Sequence, residues 1–67
     1  MGLFDLPENW VYVEFENGER KNIANTDTLN EREATRFKEY WEEAEHKKIV
    51  KVTLETSDNK VIKTFTY

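Results

Sequence analysis

Two stretches of alternating apolar and polar residues, each followed by a turn signal and a return strand, flank one stretch of helical periodicity. Together they predict an α+β domain of ββαββ order, with one helix packed on a four-stranded sheet. The first alternation is Trp10 to Glu16, WVYVEFE, with Val11, Val13 and Phe15 on one side and Trp10, Tyr12, Glu14 and Glu16 on the other. Asn17-Gly18 then reverses the chain. A two-residue type I′ loop would set Ile23 opposite Tyr12. A three-residue Glu16-Asn17-Gly18 loop with Gly18 in a bulge sets it opposite Val11 and keeps it in the core, so the longer loop is preferred.

The segment ANTDTLN, Ala24 to Asn30, is dense in capping residues and leads into the helix. Thr28 with Glu31 has capping-box spacing. Asn30 with Glu33 fits it as well and adds a staple between Leu29 and Ala34, so both starts remain open. From Glu31 to about His46 the apolar positions Ala34, Phe37, Trp41 and Ala44 recur at intervals of three and four, with Tyr40 beside them. That spacing predicts one apolar stripe.

Ile49 to Thr56, IVKVTLET, alternates again, with Val50, Val52 and Leu54 on one face, and Ser57 to Lys60 forms a polar turn before Val61 to Tyr67. A loop of two or four residues would pair Val52 with Phe65 and Val50 with Tyr67, whereas three residues would bury Ile62 and Thr64. Burying Phe65 removes more apolar area from water, so the even loop is expected. The chain then reads as a single domain over 1–67, with an N-terminal tail 1–8, a first hairpin 9–24, a helix 29–47 and a second hairpin 48–67. The helix stripe should cover one sheet face, with a right-handed crossover.

In that element order, the phrases Phe37-Lys38-Glu39-Tyr40 and Lys63-Thr64-Phe65-Thr66 are similar to the helix and last strand of the β-grasp immunoglobulin-binding domains of protein G and protein L. The resemblance implies central, parallel first and last strands and a mixed sheet of order 2-1-4-3. Antibody binding does not follow from a shared layout, and no binding residue is carried over.

Composition narrows the chemistry. With 67 residues and no cysteine the chain has no disulfide, and His46, its only histidine, leaves no ligand set for zinc. Fourteen acidic against ten basic residues give a net charge of −4, which disfavours phosphate backbones as partners. The first 30 residues carry six acids and two bases, against two and three over 49–67. No basic leader or run of about 20 apolar residues occurs, so neither export nor a membrane partner is expected, and the cytoplasm of the producing cell or of a host is the expected location. There is no Gly-rich phosphate loop, thiol nucleophile or histidine dyad, and hence no predicted enzyme activity, catalytic residue, cofactor or metal. His46 is expected to be solvated and paired with Glu42 one turn earlier.

Two surfaces remain as candidates. The outer helix face presents Glu31, Thr35, Glu39, Glu42, Glu43 and His46, an acidic strip suited to a protein with a basic surface. The sheet face turned from the helix presents Trp10, Tyr12, Ile62, Thr53, Thr64 and Thr66, aromatics suited to a protein interface unless the tail residues Leu3, Phe4 and Leu6 cover them. The expected function is that of a small, acidic, non-catalytic protein-binding module, with Glu31, Glu39, Glu42, Glu43, Trp10 and Tyr12 as contact residues. Its size and acidity resemble those of phage and mobile-element inhibitors of host proteins. The alternatives are a structural or self-associating domain, natural or designed, that dimerises through the open sheet face, and single-stranded nucleic-acid binding by Trp10 and Tyr12, which lacks supporting basic residues.

Overall fold

The computed structural model describes residues 8–67, and the tail residues Leu3, Phe4 and Leu6 lie outside that range. Strands β1 (Asn9–Phe15) and β2 (Arg20–Asn25) precede helix α1 (Glu31–Glu45), and strands β3 (Ile49–Thr56) and β4 (Val61–Thr66) follow it. The fold is α+β, as the alternation indicated, with one helix and a four-stranded sheet.

The strand order corrects the β-grasp expectation. It is β2-β1-β3-β4, and all three neighbouring pairs are antiparallel, so the sheet is not mixed and β4 lies at an edge. The reason lies in what each strand can bury. In β3 the successive residues Val52, Thr53, Leu54 and Glu55 are all buried, the first and third beneath the helix and the second and fourth among side chains of adjacent strands, which requires a neighbouring strand on both sides. In β4 the side facing the helix carries Lys63 beside Phe65, and every residue but Phe65 is exposed. A strand with one large inward apolar group gains little from a central place, whereas each fully buried Val or Leu of β3 contributes about 1.5–3 kcal/mol.

The first hairpin has the expected loop. Phe15 donates its N–H to Glu19 O at 2.8 Å and accepts Gly18 N–H at 2.9 Å, closing three residues with Gly18 at φ +90°, where a Cβ would be strained. Ile23 is not opposite Val11, however. A bulge lies between the Val11 and Tyr12 positions, so Ala24 faces Val11 and Ile23 is the extra residue, packed at the margin of the core. The second hairpin repeats the device and corrects the even-loop expectation. Thr56 donates to Lys60 O at 2.8 Å and accepts Asn59 N–H at 3.0 Å, closing the three residues Ser57-Asp58-Asn59 with Asn59 at φ 68°. A bulge between Leu54 and Glu55 then leaves Ile62 as the extra residue and restores Val52 opposite Phe65. Phe65 thus reaches the inner face without an even loop.

The helix start resolves in favour of Asn30. Its Oδ1 accepts Glu33 N–H at 2.8 Å, Glu33 Oε1 accepts Asn30 N–H at 3.1 Å, and Leu29 and Ala34 on either side are buried in the core. Phe37 and Trp41 are partly buried and pack against the core cluster to which Val11, Val13, Val52 and Leu54 belong, as the stripe predicted. Ala44 and Tyr40 do not: both are exposed, Tyr40 at 64%, while Lys38, Glu42 and Glu45 are partly buried. At 100° per residue the buried side is rotated by roughly 60° from the Ala34-Phe37-Trp41-Ala44 line. The rotation brings Lys38 under Tyr67 and Glu45 against Lys21, so charged side chains with apolar stems flank the apolar centre.

Both edge strands carry a lysine on the inner face. Lys21 lies opposite Val13 in β2, and Lys63 opposite Leu54 in β4, where its Nζ donates to Leu29 O at 3.1 Å. The helix ends at His46 in the left-handed conformation, φ 54° and ψ 40°, a setting that glycine occupies without penalty. His46→Gly is expected to raise stability by about 1 kcal/mol in urea or thermal unfolding, because His46 is exposed and only its backbone conformation is unfavourable. An unfolding midpoint that falls instead would mean the His46 side chain stabilises the turn.

Candidate functional site

On the face turned from the helix, the registers align side chains in rows across the sheet. One row is Asn25, Trp10, Glu55 and Val61, the next Asn22, Tyr12, Thr53 and Thr64, and the third Arg20, Glu14, Lys51 and Thr66. Directly opposed residues on one face bring their Cβ atoms to within about 5.5 Å. Glu55 therefore stands between an indole and a branched alkyl group. It is 4% exposed, although no other strand or helix covers that face among the described residues.

Arg20 explains how a carboxylate is tolerated there. Its guanidinium crosses β1, lies 4.6 Å from the centre of the Tyr12 ring and donates to Glu55 Oε2 through Nη2, while Thr53 Oγ1 donates to the same oxygen at 2.8 Å. Two donors and an aromatic neighbour compensate the lost hydration. Beside this network is a concavity of about 320 Å³ lined by charged, hydroxyl and alkyl groups, among them Lys51, Thr64 and Val61.

The same triplet of carboxylate, cation and ring recurs across the molecule. Lys21 pairs with Glu45 at 3.2 Å and lies 4.7 Å from the Trp41 ring. Lys38 pairs with Glu42 at 3.0 Å and lies 5.2 Å from the Tyr67 ring. Lys47 pairs with Glu19 at 3.2 Å and lies 5.5 Å from the Phe15 ring. In each case a cation with one partner on either side fastens two elements that lie far apart in sequence or adjoin at the helix.

The predicted contact residues divide between these surfaces. Glu31, Glu39 and Glu43 are exposed on the helix, and no described residue forms an ion pair with them. Arg32 and Arg36 are exposed on the same helix, and a shallow groove runs past Glu31, Arg32, Thr35, Arg36 and Glu39, so the strip is interrupted by positive charge. Glu42 lies apart from it. Its Oε1 accepts from Lys38, and its Oε2 accepts the backbone N–H of Ile49 at 2.8 Å, tying the helix to the first residue of β3. The expected pairing of Glu42 with His46 is corrected: Glu42 turns to Lys38 and to the Ile49 N–H, and no ion pair joins it to the exposed His46.

Trp10 is 37% exposed, and Tyr12 is half-buried beneath Arg20. Ile62 is exposed at its bulge. Glu55, Arg20 and Val61 were not among the predicted contact residues. The alternation that placed Thr53 on this face also placed Glu55 there two residues on, but nothing in the sequence connects Arg20 to it across 35 positions.

No three of His, Cys, Asp and Glu converge to hold a metal among the described residues, and no described helix is long and apolar enough to cross a membrane. No family model, curated protein or solved structure matches the chain.

Partial burial of Glu42 would raise its pKa, but the Ile49 N–H, the Lys38 hydrogen bond and charge, and the Lys48 charge outweigh burial and hold it below its ordinary value of 4.5. A folded-state value below the unfolded one adds stability at neutral pH that disappears as the pH falls through the lowered value. Glu42→Gln is expected to cost about 1–2 kcal/mol at pH 7 and to flatten the stability profile below about pH 4.5. A parallel profile for wild type and variant would refute the assignment. The ion pairs also differ in worth. Arg20→Ala, which leaves a buried carboxylate short of a donor, should cost about 1–3 kcal/mol by urea unfolding, against less than about 1 kcal/mol for Lys47→Ala at the surface.

Proposed function

We propose that this protein is a non-catalytic binding module that acts by covering a basic surface of another protein. The observation that carries the reading is the uneven compensation of its acids. Glu19, Glu42, Glu45 and Glu55 each hold a cation of the chain itself, whereas Glu31, Glu39 and Glu43 stand exposed on one helix with no such partner among the described residues. With a net charge of −4, the module meets a basic partner with favourable long-range attraction. Occupying such a surface requires no reacting group, which suits an inhibitor of a host protein of the kind phages and mobile elements encode.

The competing reading is self-association through the open sheet face, favoured by the exposure of Trp10, Val61 and Ile62 on or beside it. Affinity capture with mass spectrometry from a lysate of the native cell separates the two. The expected result is a specific, salt-sensitive partner that is lost when Glu31, Glu39 and Glu43 are together replaced by lysine. Failure to capture a partner, with a concentration-dependent dimer in sedimentation, would replace this reading by self-association.

A further inference from the structure

We infer that the Tyr40, Glu43 and Ala44 flank of α1 docks a basic side chain of the partner, its head on the Glu43 carboxylate and its alkyl stem along the Tyr40 ring; this rests on the protein-binding reading and names the contact at its centre. The apolar side of α1 is broader than the sheet beneath it. Phe37 and Trp41 pack against the core, whereas Tyr40 and Ala44 are left in solvent on the flank beside them. At 64%, Tyr40 is the most exposed large hydrophobic side chain among the described residues. Its ring is nonetheless held in place. It meets the Trp41 ring edge to face, with centroids 5.3 Å apart and planes at 78°, and Lys21 in turn lies 4.7 Å from the Trp41 ring. A tyrosine that is exposed yet already ordered loses little freedom on binding, which suits it to anchor an interface.

Charge decides what fits there. Glu43 and Ala44 follow Tyr40 by three and four residues, so one helical turn sets a carboxylate on one side of the ring and a methyl group on the other. The three side chains line a concavity of about 240 Å³ that no cation lines; Arg36, one turn before Tyr40, lies outside it. Glu43 forms no ion pair with a described residue, and no cation of the described chain lies over the Tyr40 ring. The last turn of α1 has no basic residue, so the negative end of the helix dipole adds to the Glu43 charge. Elsewhere in the molecule Arg20, Lys21, Lys38 and Lys47 each join a carboxylate to a ring. On this flank the carboxylate and the ring are present and the cation is left to the partner. A lysine or arginine matches it at both ends, with a charged head for Glu43 and an aliphatic stem for Tyr40 and Ala44.

The test is a titration of ¹⁵N-labelled protein at low ionic strength with a blocked Gly-Arg-Gly-Arg-Gly peptide, followed by amide shifts, with Gly-Glu-Gly-Glu-Gly as control. The arginine peptide is expected to move Tyr40, Glu43 and Ala44. Tyr40→Leu should weaken binding roughly threefold and Tyr40→Phe should retain it, because the ring face is what the cation meets. Glu43→Gln should weaken it by a similar factor. Both positions are exposed, so these variants keep the fold. Shifts centred on Glu31 or on the outer sheet face, or an affinity unchanged in Tyr40→Leu, would overturn the docking place while leaving intact the protein-binding reading, which the lysate capture decides. No shifts, or an equal response to the acidic peptide, would also overturn it. Movement of Tyr40, Glu43 and Ala44 on dilution of the protein alone would give the flank to a second copy and overturn it likewise.

Discussion

The architecture depends on the burial of β3 from both sides. Val52 and Leu54 face the helix while Thr53 and Glu55 face away, and all four are closed to solvent. A strand of that kind has to lie inside the sheet, and the pairing along β1 from Asn9↔Thr56 to Phe15↔Ile49 puts it there. Once β1 and β3 are neighbours, each hairpin can extend only outward, which places β2 and β4 at the margins. The helix then connects an edge strand to an inner one, passing over β1. Its register against the sheet is held at both ends, by Leu29 and the Asn30 cap at the start and by the Glu42 link to Ile49 at the finish.

Much of this was legible in the sequence, and the failures have a common cause. Alternation located the strands, the 3–4 spacing located the helix, and Asn17-Gly18 located the first turn, because each signal is local, whereas the three-residue length of that loop was preferred for an Ile23-Val11 pairing that does not form. The Val52↔Phe65 register was legible from apolar burial, but the loop assumed to produce it was not, because a bulge at Ile62 shifts the count by one and leaves no sequence signature. The same holds for Ile23. Strand order was misread because the phrases around Phe37 and Lys63 describe local composition, whereas order reflects a competition between β3 and β4 for the inner place. The outward-facing site was legible in part: Trp10, Tyr12 and Thr53 followed from period two, while the reach of Arg20 to Glu55 is a tertiary fact.

Charge serves two purposes here. Lys21, Lys38 and Lys47 draw carboxylates and rings together around a core in which seven large side chains are fully buried among the described residues: Phe15, Leu29, Ile49, Leu54, Val11, Val13 and Val52. A domain of this size has little apolar area to spare, and cations lying on aromatic faces extend the packed region without needing a larger interior. The acids left over from these triplets give the surface its sign.

The inward lysines and paired bulges of β2 and β4 bear on what kind of assembly the molecule can enter. A sheet rim recruits another chain when it is flat and its inner row is wholly oily, the condition from which fibres grow. Here a stranger adding to either rim would have to continue the ladder past a kink at Ile23 or Ile62 and set its own inner row beside an ammonium group. Open-ended polymerisation through the sheet margins is thereby disfavoured on both sides, and the broad faces are left clear of these edge features.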